Sequence, residues 1–310
     1  MKKQLLIAAV AATMATVSIA DVSITGSGKM NYVNTDSATE SSDTNTFTNE
    51  LDLNVTGKSG DTTVFMNIEN LSANSTAALN VKSAYMASSI ADVNVQIGSW
   101  YSSDSLLSNG GAGNNKFKAS TTVGGVSITF EDQTDAAEAI TFAGDVAGVS
   151  IKHKMSNDGA GTDTADTTLS GSIGGVNVAY RTIDSDAANA DKESIEVSTE
   201  MNGVTFTYAS VDVDGTGTTA SDGYLGTFAT AQNEINGFGI KTALAGNTIQ
   251  VKMIDSKLTS TATDDSRTKI VVTRPLASGA TFEATYTDLD AAAGSTSDSK
   301  TLDLELSVSF

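Results

Sequence analysis

The sequence predicts an all-β chain closing into a transmembrane, antiparallel up-and-down β-barrel of 16 to 18 strands, with short turns at one rim and longer loops at the other. Three observations predict it. Residues 301–310 alternate strictly: Leu302, Leu304, Leu306, Val308 and Phe310 share one face, and Thr301, Asp303, Glu305, Ser307 and Ser309 share the other, as successive side chains of a strand must. Alternating runs of this kind recur along the chain, joined in turn by a tight connection and a longer polar one. After Val17 no stretch is long and apolar enough for a membrane helix, and none keeps an i, i+3, i+4, i+7 apolar period over three turns.

The N-terminus is of another kind. Lys2 and Lys3 precede an apolar run over residues 5–17, and Ser18-Ile19-Ala20 then places small residues where a signal peptidase cuts. The run is shorter than the roughly 20 residues a spanning helix needs. Residues 1–20 read as a signal peptide and residues 21–310 as the barrel domain.

The first strand covers 22–33, with Val22, Ile24, Met30 and Tyr32 on one face and Ser23, Thr25, Ser27, Lys29 and Asn31 on the other. A polar loop over 35–46 leads to the strand 47–57, where Leu51, Leu53 and Val55 alternate with Glu50, Asp52, Asn54 and Thr56. Lys58-Ser59-Gly60-Asp61 turns it into 62–71, where Val64, Met66 and Ile68 alternate with Asn67 and Glu69. The unit repeats: 79–87 with 93–100, 116–123 with 126–132, 139–143 with 149–155, 167–173 with 176–183, 193–201 with 204–212, 234–244 with 248–254, and 268–275 with 281–288. Gly124-Gly125, Gly174-Gly175 and Asn202-Gly203 supply the positive φ angles that two-residue hairpin turns require. With 301–310 this makes eighteen strands, eight tight turns and nine loops, or sixteen strands if a short run such as 139–143 is not one. Either number is even, which puts both chain ends at the rim that carries the tight turns.

Composition narrows the class. The 310 residues include no Cys, one Pro and one His, so an exported chain must hold together by hydrogen bonding and packing, without disulfides or thiol chemistry. The formal net charge of −19 argues against nucleic acid as a partner and favours metal ions and cationic groups. A solenoid would repeat one motif at one length, whereas here only the strand-turn-strand unit recurs. Closure into a barrel removes exposed strand edges, and in a bilayer it is the arrangement that pairs every backbone group of a strand.

The export signal, the length of 21–310, the alternation of short turns with long loops and the final Phe310 resemble the general porins of Gram-negative bacteria, especially the compact alphaproteobacterial type. The likeness is architectural, covers the mature chain and rests on no catalytic or binding motif. It implies an outer-membrane channel for passive diffusion of small hydrophilic solutes and ions. It also implies a homotrimer of sixteen-stranded barrels among outer-membrane lipid and lipopolysaccharide, and a role for Phe310 in the signal read by the outer-membrane assembly machinery. In that family the loop after the fifth strand folds inward to narrow the pore. Here that loop is 101–115, whose single formal charge is Asp104, so a tight acidic eyelet is not expected.

Parity reads the wall. If Val22, Leu51, Val81, Phe117, Ile151 and Tyr180 face lipid, then Lys29, Lys82, Lys116, Lys118, Lys152, Lys154, Arg181, Lys241, Lys252 and Lys269 face the lumen. Facing inward follows from the ~2–4 kcal/mol that a Lys or Arg costs on the lipid face at the midplane; a part in selectivity does not. The resemblance implies a basic row across from the inward loop, for which Lys29, Lys82 and Lys118 are the candidates, with Lys152 and Arg181 further along the lining. Inward acids, Glu50, Asp52, Glu69, Glu131, Glu196, Glu200, Glu283, Asp303 and Glu305, oppose them. Tyr32, Phe47, Tyr85, Trp100, Phe117, Phe130 and other aromatic residues near strand ends suggest interfacial girdles.

Motifs that carry chemistry are nearly absent. Asp212-Val213-Asp214-Gly215 is like the start of a calcium loop but lacks the periodic ligands and closing Glu of an EF-hand. No cofactor is expected; acidic loops around Asp36, Glu40 and Asp43, around Asp184, Asp186 and Asp191, and at Asp264 and Asp265 are candidates for weak divalent-cation binding. An outer-membrane hydrolase and an exported β-rich adhesin are the competing functions. Against an enzyme, His153 is the sole histidine, and by parity it sides with Val149, Ile151 and Met155 toward lipid, away from any nucleophile or water it would serve as general base.

Overall fold

The computed structural model describes residues 21–37, 44–71, 80–102, 111–133, 138–159, 161–187, 191–214, 221–222, 224–227, 233–258, 263–291 and 298–310. The strands are β1 (Asp21–Ser37), β2 (Thr44–Ser59), β3 (Thr62–Leu71), β4 (Asn80–Ile90), β5 (Val93–Ser102), β6 (Gly111–Val123), β7 (Val126–Gln133), β8 (Glu138–Val146), β9 (Val149–Asn157) and β10 (Asp163–Ile173). They continue with β11 (Val176–Ser185), β12 (Lys192–Met201), β13 (Val204–Val213), the two-residue pieces β14 (Ser221–Asp222) and β15 (Gly226–Thr227), β16 (Glu234–Leu244), β17 (Asn247–Leu258), β18 (Thr263–Pro275), β19 (Ala280–Asp290) and β20 (Ser299–Ser309). All but β14 and β15 belong to one 18-stranded sheet in which every pairing is antiparallel between chain neighbours, and β1 pairs with both β2 and β20. The barrel is therefore closed, up-and-down, and has two strands more than the resemblance implied.

Alternation places the faces as the sequence suggests. Leu51, Val64, Met86, Ile97 and Leu306 point outward, exposed, while their neighbours Glu50, Asp52, Glu69 and Glu305 point into the lumen. The short run 139–143 is a full strand, β8, and β1 and β2 extend into both ends of the segment read as a polar loop, with Thr35 paired to Thr44 and residues 38–43 outside the described ones. Six two-residue turns among the described residues have both central φ angles positive, as right-twisted hairpins demand. Gly124-Gly125, Gly174-Gly175 and Asn202-Gly203 are three of them. The other three begin with alanine, at Ala91 (φ 48), Ala147 (φ 52) and Ala245 (φ 51).

The seam closes on the last residue. Phe310 N donates to Gly26 O at 2.9 Å and accepts at its own carbonyl from Gly26 N at 2.8 Å. Its ring lies over Gly26, where an added Cβ would stand 2.6 Å from Phe310 Cζ. The aromatic girdle is only partly as expected. Tyr32 and Phe47 (ring centroids 4.9 Å apart), Phe117 and Phe130 (6.4 Å) and Phe206 and Phe238 (6.4 Å) share the outer face. Tyr85 and Trp100 instead face the lumen with Phe65, forming a ladder with centroids 5.0 and 6.1 Å apart, and Trp100 is buried there. Residues 1–20, and with them the expected signal peptide, lie outside the described residues.

Candidate functional site

Among the described residues, a buried apolar cluster lies inside the lumen. Ala209, Val211 and Val213 on β13, Ile235 on β16 and Ile254 on β17 point inward and pack with Leu225, which belongs to the tight hairpin between β14 and β15. This hairpin is the described part of the connection from β13 to β16, and it lies inside the barrel on the wall, as a strap. Two glycines make room for it. Gly237 and Gly239 both point into the lumen on β16, and a Cβ at Gly237 would collide with Leu225 Cδ2, one at Gly239 with the Tyr224 hydroxyl. Glycine inside a strand marks such a close approach. Lys252 on β17 completes the anchorage: its ammonium donates to the Tyr224 carbonyl at 2.6 Å and lies 4.0 Å from the centroid of the Tyr224 ring. Burial pushes the pKa of the Tyr224 hydroxyl up.

The strap meets the wall at β13, β16 and β17, within a longer band of buried inward residues. Register aligns Thr168, Arg181, Ser194, Val211, Ile235, Ser256 and Asp265 side by side across β10, β11, β12, β13, β16, β17 and β18. Each is at most 6% exposed, although each points into the lumen. The covered wall is one side of the barrel, and β1 to β5 lie roughly across from it in the strand order.

Lys29, Lys82, Lys118, Lys152 and Arg181 all sit on the inner face, on β1, β4, β6, β9 and β11. Lys29 on β1 stands between Glu50 Oε2 at 3.5 Å and Glu305 Oε2 at 3.7 Å. Lys82 on β4 reaches Glu69 Oε1 at 2.9 Å. Lys118 on β6 is in register with Gln96 and Glu131, and Lys152 on β9 with Ala143 and Thr168. Arg181 on β11 forms a bidentate pair with Asp166, Nε to Oδ1 at 2.9 Å and Nη2 to Oδ2 at 2.6 Å, and both side chains are largely buried. Lys116 pairs with Glu131 at 3.1 Å and its ammonium lies 5.6 Å from the Trp100 ring centroid.

The segment 101–115, read as an inward loop, is described only at its two ends. Tyr101 and Ser102 end β5, Gly111 to Asn115 begin β6, and residues 103–110, with Asp104, lie outside the described residues. Asp212 and Val213 of the calcium-like tetrapeptide are simply the end of β13, and Gly215 lies outside the described residues, as do Glu40 and Asp43. His153 points outward as expected, its Nδ1 2.9 Å from Thr167 Oγ1 on the neighbouring strand.

Sequence reasoning missed the strap. The available signal was the pattern Gly237-Phe238-Gly239, two glycines on one face of an otherwise ordinary strand, paired with a lysine, Lys252, in register with Gly239.

No family model matches the sequence, and a search of curated proteins finds no match. Solved structures do match. Pseudomonas aeruginosa OpdQ aligns at 10% identity over 94% of this chain and 98% of its own, with a TM-score of 0.71. Pseudomonas aeruginosa OccK11 (OpdR) aligns at 10% identity over 94% and 96%, with a TM-score of 0.72. Pseudomonas aeruginosa OccK8 (OprE) aligns at 11% identity over 94% and 98%, with a TM-score of 0.70. At these identities the match concerns the fold alone.

Proposed function

We infer that the protein is a channel of the bacterial outer membrane through which small hydrophilic solutes and ions diffuse passively, narrowed by the strap between β13 and β16. One observation carries this reading: an 18-stranded closed barrel with large apolar side chains outside and charged, ion-paired side chains inside. A barrel of that strand number is too wide for such side chains to fill, so water occupies the remainder. The lining set is Lys29, Lys82, Lys118, Lys152 and Arg181, with Asp104 assigned to the loop after β5. We extend the reading to export by a signal peptide over residues 1–20, to insertion by the assembly machinery with Phe310 as part of its signal, and to a homotrimer among lipid and lipopolysaccharide. The likeness to compact alphaproteobacterial porins belongs to the same proposal, with two strands more than that type. The channel uses no cofactor and performs no catalysis, and its acidic outer loops hold divalent cations at most weakly.

Purified protein added to planar bilayers tests the reading. Stepwise conductance increments that protein-free bilayers do not show, together with heat-modifiable migration on gels, are the expected result. A folded barrel that never conducts would overturn it.

A further inference from the structure

Across from the strap, the wall made by β2, β3 and β4 has a local defect in its ladder. Asn67 pairs with Ser83 but the next residue, Ile68, pairs with Val81, so Lys82 is an extra, bulged residue. Such bulges re-aim a side chain, and this one sends an ammonium to the inner face. There Glu50 and Asp52 of β2 and Glu69 of β3 each bring one carboxylate oxygen within 4.8 Å of the other two. Asp52 and Glu69 are cross-strand partners, and Glu69 is only 5% exposed. Like charges placed directly opposite repel. The Lys82 ammonium, 2.9 Å from Glu69 Oε1, is the cation that lets them coexist, and Lys29 relieves Glu50 from the other side at 3.5 Å. Two oxygens of this patch, Asp52 Oδ1 and Asn67 Oδ1, are closed to solvent and have no hydrogen-bond partner among the described residues. The patch thus offers oxygen donors alone, the set that hard cations and ammonium groups take.

We infer that Lys82 is a specificity-determining residue of the channel, acting as a tethered ammonium that fills a cation subsite made by Glu50, Asp52 and Glu69. The inference rests on the pore reading only for its consequence, which is that permeating divalent cations pass this wall without being held. Lys82 is then no anion-attracting member of a basic row. It is the internal counter-ion of an acidic wall, and its removal converts a transit surface into a trap.

Calcium is the probe. Lys82→Met is expected to be half-blocked at about tenfold lower calcium than the native chain in bilayer recordings, with Lys82→Arg behaving as native and Lys82→Met/Glu69→Gln losing the added sensitivity. The same calcium should raise the temperature at which folded Lys82→Met converts to its unfolded gel mobility, a readout that needs no conduction. Equal calcium response of Lys82→Met and the native chain in both measurements overturns the inference, whereas a calcium-stabilised but non-conducting barrel strikes the pore reading instead. Should Lys82→Met fail to fold, Glu69→Gln in the native chain serves: it frees the Lys82 ammonium, and chloride permeability relative to potassium should rise about twofold. An unchanged ratio overturns the proposal.

Discussion

Single residues decide how far the strap reaches into the lumen. Gly237 and Gly239 are tolerated in the middle of β16, despite glycine's cost in a strand, because Leu225 and Tyr224 occupy the space their side chains would fill. Gly237→Ala or Gly239→Ala should therefore lift the strap, forfeiting up to ~1.5–3 kcal/mol of Leu225 burial and raising single-channel conductance by roughly half. Conductance equal to that of the native chain, in a variant that still shows heat-modifiable migration, would mean that the strap does not set the bore. The contrasting residue is His153. It faces outward and is tied to Thr167, so His153→Ala should leave conductance unchanged, and loss of any hydrolytic activity on that change would favour an enzyme.

Strands were legible in the sequence because their chemistry is local. Alternation of apolar and polar residues is forced by the pleat, and it identified all eighteen barrel strands, the inner face of the lysines and the outward side of His153. The strap was not legible because nothing local encodes it: its anchor is a meeting of Tyr224 and Leu225 with glycines and a lysine supplied by β16 and β17. Likewise the inward turn of Trp100 and Tyr85 depends on which face a ladder presents, while aromatic content alone suited either face. The seam is the element whose failure is simplest to provoke. Gly26 must accept both the Phe310 ring and the backbone of β2, with an added Cβ only 2.8 Å from Asp52 O. Gly26→Val should block closure of β1 on β20, and deletion of Phe310 should weaken it by removing two backbone hydrogen bonds. Both should lower the yield of heat-modifiable barrel, Gly26→Val more severely; normal yield from Gly26→Val would show that the seam tolerates a shift.

The molecule as a whole is lopsided, and its selectivity should be too. One side of the lumen is covered along a band from Thr168 to Asp265, and its most conspicuous charge, Arg181, is both buried and neutralised by Asp166. The opposite side keeps Lys29 41% exposed among Glu50 and Glu305, in contact with whatever passes. Fields of exposed charges act on permeating ions and are screened by salt within about 10 Å at 0.1 M, whereas a buried, paired charge presents little net field to the path. Replacing the covered pair together, Arg181→Met with Asp166→Leu, exchanges an ion pair for apolar residues, a change that buried pairs often tolerate without loss of stability. Reversal potentials measured in a salt gradient should then be unmoved by the double replacement, yet shift toward cations in Lys29→Glu, with the shift shrinking as salt rises. If the double replacement moves the reversal potential as much as Lys29→Glu does, ions travel along the strap side, and the permeation path assigned to the β1 wall is wrong.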